Sequence, residues 1–489
     1  MIMSELKKRY GLFTAICMVV GIVIGSGVFF KAQTILQITN GNMMYGVVAW
    51  VVGGAIMLFC VLAFAVMAQK YEKVNGIVDY AEATIGHKYA YFVGWFMSII
   101  LYPTLTSVLA WLSARYTLTF ICSVNPNFAM TISAADGGCV VGPECFVLAL
   151  LLLVLSYALN VLSPKISGKV QVSATVIKLI PLLLMAIVGT IYGLTHDFGG
   201  ASASAGASML AQNFSNRSGD LSILFSAVVA TAFAYEGWIV ATSINSELKN
   251  SKRNLPIALI AGSLIIIAVY IFYFIGVSGG APMENLIEHG ATFAFTNIFG
   301  NVFGNILNLF VAVSCMGTLN GLMLGCVRGP FSVATRNVGP KPHVFKEVDR
   351  QTNMPVNSGV LGLLMCALWF TFFYGANLTP NGWFGFFNFD SSELPICTTY
   401  AIYIPIFIAF MVRAKDVGFF KRFVLPSFAI LGSAFIIFAA IYAHGIAPYK
   451  AAAAEGKFAC PILAYLIVFA AIMGIGFLFV KKKGTKAEK

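Results

Sequence analysis

Gly25-Ser26-Gly27 sits inside an apolar run that begins at Gly11 and reaches Ile38, with no charged residue before Lys31. The triplet follows Gly11 by fourteen residues, about 21 Å of helix at 1.5 Å per residue, which is deep in a bilayer if the run spans one. Glycine costs about 1 kcal/mol against alanine in a helix interior, so two glycines around a serine invite local unwinding. Unwinding would leave the amides of Ser26, Gly27 and Val28 at the start of a second half-helix. That end carries positive dipole and suits a carboxylate. The competing reading is a small-residue face for helix packing.

Composition extends the membrane reading to the whole chain. Of 489 residues, 59% are hydrophobic and only 10% carry charge, too few to cover a soluble protein of this size. Mean hydropathy is +0.86. The segment from Lys7 through the first apolar run is read as a retained span, not a cleaved signal, because everything after it is equally apolar. Hydropathy predicts twelve spans, at 11–38, 44–69, 90–121, 144–162, 172–193, 221–244, 256–278, 302–327, 357–374, 394–412, 424–443 and 459–480.

Charge sets the orientation. Of the 31 Lys and Arg residues, 25 fall on the side that holds the N-terminus. Arg217, Lys450 and Lys457 fall opposite, and Lys31, Arg115 and Lys178 lie inside spans. The asymmetry predicts a cytoplasmic N- and C-terminus, and it explains the net charge of +12 without a nucleic-acid partner. Connections are short, so 1–489 reads as one polytopic membrane domain. Segment 70–89 is expected to be an amphipathic helix on the inner face, and 195–220 a flexible outer loop with the glycosylation triplets beginning at Asn213 and Asn216. The ten cysteines show no metal-ligand spacing, and no metal or cofactor is expected. Cys122, Cys139 and Cys145 lie in or beside one outer loop, where any disulfide pairing stays open.

A second interruption falls in span 6, at Phe233-Ala234-Tyr235-Glu236-Gly237-Trp238. A glutamate midway along a span costs about 2.5–3.5 kcal/mol, so it must face protein or a water-filled cavity; pairing for packing alone is the plainer alternative. The interruptions at Gly25 and Gly237 each fall in the first span of a block of five, and the blocks run in opposite directions. Broken helices at matching places in inverted halves point to the midplane site of a transporter. Lys178 lies inside span 5, too far from its predicted inner edge for comfortable snorkelling. It suits the role of a fixed ammonium where a coupling cation would bind, or a structural tether to carbonyls. Arg115 is read as snorkelling at the outer end of span 3, and Lys31 as facing the outer vestibule with no role assigned.

These residues resemble the amino acid–polyamine–organocation superfamily of permeases, especially bacterial relatives of the L-type amino acid exchangers. The resemblance is carried by Gly25-Ser26-Gly27-Val28-Phe29, by Gly76, Tyr80, Gly86 and Gly94-Trp95, and by Lys165, Gly168, Lys169, Gln171 and Lys178. It continues through Phe233 to Trp238, Glu247, Arg253-Asn254-Leu255-Pro256, Gly317-Thr318-Leu319-Asn320-Gly321 and Arg328, to Pro355-Val356-Asn357. It implies an all-α, LeuT-like fold of five plus five inverted helices, with helices 1 and 6 broken. The inverted repeats would be 11–193 and 221–412, with two peripheral helices in 424–480. It implies a substrate carboxylate at Ser26 and Gly27, an amino group at the carbonyls of Val23, Phe233 and Glu236, and Gly25, Ala234 and Gly237 completing the site. Phe233 would be the outer lid, and Lys178 would replace a sodium ion. The sequence departs from the pattern at Lys31-Ala32, Val78, Glu236 and the stretch 381–393.

The expectation is a secondary transporter of L-amino acids in the plasma membrane, exchanging neutral substrates by alternating access and not an enzyme. A cationic amino acid or polyamine permease, proton-coupled, is the alternative within the class, and a sensor or channel the alternative outside it. The short termini suggest no obligatory protein subunit.

Overall fold

A computed structural model describes residues 8, 10–71, 76–125, 142–197, 207–217, 219–379 and 381–480. These residues hold twelve helices long and apolar enough to cross a membrane. We number them spans 1–12: Leu12–Ile38, Met43–Lys70, His87–Val124, Pro143–Leu162, Pro164–Thr195, Ser222–Asn245, Ser251–Gly279, Asn301–Ala334, Val356–Leu378, Leu394–Arg413, Phe420–Ala454 and Pro461–Leu478. Every predicted span is present. Span 5 starts at Pro164 instead of 172, because Lys165 to Gln171 continue the helix. Lys178 is therefore fourteen residues from the start of its helix, about 21 Å along the axis and deeper than the sequence suggested.

The spans differ sharply in burial. Protein covers 89% of the most apolar window of span 3 but only 22% of that of span 12. Span 3 is thus interior, and span 12 leaves Leu463, Leu466, Ile467, Ile475 and Leu478 exposed, as suits a lipid-facing helix. Spans 1, 3, 6 and 8 form the centre. Span 8 packs along span 3 and against spans 4, 5 and 9, while span 7 packs along span 2 and the first half of span 1.

Glycine lets two spans meet backbone to backbone. A Cβ on Gly189 of span 5 would run into the Gly276 carbonyl of span 7, and one on Gly193 would run into Gly279. Span 5 passes through a π-helical turn, Met185–Gly189, at this contact.

Three sequence readings change. Within 70–89, Gly76–Thr84 is helical but Gly76 to Ala81 are all buried, so the helix is packed into protein and not laid on lipid by one face. Residues 72–75 lie outside the described residues. In the outer loop, Met209–Ser215 is a helix, and the Asn213 side chain is buried, donating to the carbonyls of Ser278 and Ala281 at 2.6 and 3.0 Å. It is committed to a tertiary contact and does not present itself as a glycan acceptor. Cys145 is a buried thiol and is not joined to Cys122; Cys139 lies outside the described residues.

Candidate functional site

Span 1 is two half-helices. The first, 1a, is Leu12–Val23, and Ile24 leaves it with ψ of 93°. The second, 1b, is Gly27–Ile38 with Ser26 at its N-cap. Phe30 donates to the Ser26 carbonyl at 2.9 Å. The amides of Gly27, Val28 and Phe29 come before any such turn and have no acceptor within the helix.

Span 6 breaks at the matching place. Its first half, 6a, is Ser222–Tyr235; Glu236 is extended, with ψ of 161°, and Gly237 is left-handed, with φ of 107°. A glycine is the residue that takes this φ without strain. The second half, Trp238–Glu247, is a 3₁₀-helix of ten residues. Such runs seldom exceed four residues and mark sites of strain or hinging.

The two breaks touch. A Cβ on Gly27 would lie 2.8 Å from the Cα of Ala234, so backbone meets backbone there. On span 7, the Tyr270 hydroxyl sits 3.1 Å from the Val23 carbonyl and 3.0 Å from the Ala234 carbonyl. One O–H thus serves the last turns of both first halves, and neither carbonyl holds it fully.

On its other side the span 1 break faces Lys178. Its ammonium donates to the Gly21 carbonyl at 2.8 Å, to the Ile24 carbonyl, to the Ser314 carbonyl at 3.1 Å and to the Thr318 hydroxyl at 3.2 Å. Thr318 itself donates toward Gly21 and Ile24, at 3.1 and 3.0 Å, and Ser314 toward Gly25 at 3.1 Å. The carbonyls orphaned by the break therefore face one fully buried cation and two hydroxyls from span 8.

Val23, Gly25, Ser26, Gly27, Phe233, Glu236 and Gly237 line a common cavity. Ala234 stands behind it against Gly27, and Lys178 lies beneath the break outside the lining. Ile22, Leu105, Leu109, Thr318 and Leu322 complete the walls. The free space is about 20 Å³, room for one water molecule and not for an amino acid. Glu236 is buried and no side chain pairs with its carboxylate, which has only the neighbouring Gly237 backbone amide beside it; the buried Ser26 hydroxyl lies against the Cys315 thiol.

Above the cavity opens a vestibule of about 750 Å³, bounded by Phe29, Phe30, Arg115, Tyr116 and Asn308 among others. Arg115 faces this space, 5.4 Å from the Trp111 ring and 5.6 Å from that of Tyr116, instead of snorkelling at lipid. Lys31 does not line the vestibule; it is buried and paired with Glu393. On the other side of the cavity, Arg328 pairs with Glu247 where both are buried, and Arg336 pairs with Asp79 and Glu82. Tyr10 adds a backbone bridge, donating to the Glu247 carbonyl at 3.1 Å and accepting from Lys249 at 2.9 Å.

Sequence reasoning found both breaks and Lys178. It did not find Tyr270, or the leucines of spans 3 and 8, which look like ordinary apolar-span residues. Thr318 appeared only as part of a motif.

A model of the amino acid permease family matches residues 10–469. The chain belongs to the amino acid permease family. With twelve apolar spans, the permease is a multi-pass membrane protein. It is similar to the serine/threonine exchanger SteT of Bacillus subtilis (strain 168), at 27% identity over 448 residues, 89% of the permease and 91% of the relative. It is also similar to the cystine/glutamate transporter of Homo sapiens, at 26% over 361 residues, 72% of the permease and 66% of the relative. The large neutral amino acids transporter small subunit 2 of Rattus norvegicus is 26% identical over 351 residues, 72% of the permease and 62% of the relative. The permease therefore spans less than two-thirds of the length of these two animal proteins.

Proposed function

We propose that this permease exchanges neutral L-amino acids across the plasma membrane by alternating access, with its termini cytoplasmic and without an obligatory protein subunit. The observation that carries the reading is the meeting of two broken helices at one buried cavity. The amides of Ser26 and Gly27 at the start of 1b offer positive dipole to the substrate carboxylate. The carbonyls of Val23, Phe233 and Glu236 receive the ammonium, with Gly25, Ala234 and Gly237 allowing the backbone to approach. Leu105, Leu109 and Leu322 supply an apolar wall for an uncharged side chain. Phe233 closes the site from the vestibule.

Lys178 supplies a resident positive charge at the span 1 break, where an inorganic cation would otherwise be needed to satisfy the same carbonyls. The cavity opens around substrate as 1b and 6a separate, within inverted repeats 11–193 and 221–412, while 424–480 stays peripheral. The relatives named for serine and threonine exchange and for large neutral amino acid transport support the substrate class.

One observation favours a second reading. Glu236 lines the cavity with a carboxylate that no side chain pairs, which suits a cationic side chain or a co-transported proton. Radiolabelled uptake into proteoliposomes separates these cases, using L-serine, L-leucine and L-arginine with and without the same amino acid inside. The expected result is serine or leucine uptake that depends on internal substrate. Equal uptake into empty and loaded vesicles refutes exchange, arginine as the sole substrate refutes the neutral class, and single-channel current refutes a carrier.

A further inference from the structure

Lys31 and the unusual stretch 381–393 lie far apart in sequence and outside the cavity, yet they meet beside Phe233. Lys31 is one turn beyond Gly27 on 1b, and its side chain is 7% exposed. Its ammonium pairs with one carboxylate oxygen of Glu393, the residue directly before span 10. The other oxygen lies 3.0 Å from Nε2 of His444 on span 11. His444 is carried by a π-helical turn, Tyr442–Ile446, a local change of pitch that often accompanies functional side chains. Glu393 is presented by a tight turn in which Asp390 accepts from the Ser392 amide at 2.6 Å and from its hydroxyl at 2.5 Å.

The same ammonium lies 5.2 Å from the centre of the Phe233 ring and 5.3 Å from that of Phe30. Both are within cation–π range, and the attraction is greatest where water is excluded. A buried ammonium is tolerated only with a counter-ion. Lys31 is therefore held over Phe233 by a carboxylate that belongs to neither broken helix.

We propose that Lys31 is a positioning residue for the Phe233 lid, and that Glu393, backed by His444, is the anchor that keeps it there. Outer closure is thereby tied to spans 10 and 11. The inference rests on the reading of Phe233 as the lid of an exchanger, and it deepens that reading by naming what sets the lid.

The test uses the full-length protein in proteoliposomes, with external KM and maximal exchange rate measured for radiolabelled L-serine. The variants are Lys31→Met, Glu393→Gln, the double Lys31→Met/Glu393→Gln, and Lys31→Arg. Lys31→Met leaves Glu393 facing His444 alone and Glu393→Gln leaves the Lys31 ammonium without its counter-ion, so each is expected to lower the melting temperature; the double variant removes both charges of the pair and is expected to recover it. A pair that serves only packing would recover its KM along with its stability. A lid-setting cation would not. We expect the double variant to be stable with KM raised about tenfold and the maximal rate within about threefold of wild type, and Lys31→Arg to stay near wild type. A stable double variant with wild-type KM overturns the proposal while leaving exchange intact. Wild-type protein that carries no L-serine against L-serine overturns serine exchange, and the lid role with it.

Discussion

Replacing Lys178 with methionine keeps most of the side-chain volume and removes the charge. The ammonium has three hydrogens for four acceptors, the carbonyls of Gly21, Ile24 and Ser314 and the Thr318 hydroxyl. Methionine leaves the Gly21 carbonyl dependent on the Thr318 hydroxyl, and the Ile24 carbonyl on Thr318 and, at 3.4 Å, the Ser314 hydroxyl. Ser314 loses its cationic partner, although its own hydroxyl still reaches Gly25. A hydrogen bond to a charged group is worth about 1.5–3 kcal/mol net. Not all the lost bonds will count, because span 1 can relax and Thr318 can shift toward one carbonyl. Taking about 2–3 kcal/mol as the share that distorts the substrate-bound state gives a fall in kcat/KM of about 30- to 150-fold. The assay is homo-exchange of a labelled substrate in proteoliposomes, normalised to inserted protein and paired with thermal melting in detergent. Exchange within twofold of wild type at equal insertion would falsify the idea that this cation sustains the break, and would return Lys178 to a packing role.

Tyr270→Phe removes one hydroxyl shared between Val23 and Ala234. At about 1 kcal/mol for a neutral hydrogen bond, substrate KM should rise about fivefold with little change in melting temperature; an unchanged KM refutes a link between this hydroxyl and the site. Gly27→Ala places a Cβ 2.8 Å from the Ala234 Cα. Forcing the half-helices apart should cost about 1–3 kcal/mol, read as weaker substrate binding by scintillation proximity, and wild-type affinity counts against close approach there. Arg328→Met strands a fully buried Glu247, so the melting temperature should drop steeply, with recovery in Arg328→Met/Glu247→Gln; a single variant as stable as wild type rules out that pair as a structural closure.

The two breaks were legible because glycine and glutamate are costly in a lipid-spanning helix, and each is visible without knowing its neighbours. Lys178 was legible on the same ground, a charge where charge is expensive, although its depth was underestimated because the preceding basic segment reads as loop and folds as helix. Lys31 was legible as an oddity and no more. Its partner Glu393 is 362 residues away, and nothing local to either residue announces the pairing. Arg328 read as an inner-loop charge, yet span 8 continues to Ala334 and buries it. Tyr270 stayed hidden for the opposite reason, since a tyrosine in an apolar run carries no penalty that demands an explanation. Cost in the membrane marks single residues, while partnership is set by helix packing.

Where spans 5 and 7 meet at Gly189, Gly193, Gly276 and Gly279, no side chain separates the two backbones. Sliding or parting them would open a gap beside the Met185 thioether, a flexible side chain that already lies against Gly189 and Gly280. That seam is a close backbone-to-backbone contact. We expect the outer half of span 5 to travel with span 7 in any rearrangement, and flexing to concentrate in the ten-residue 3₁₀ stretch of span 6.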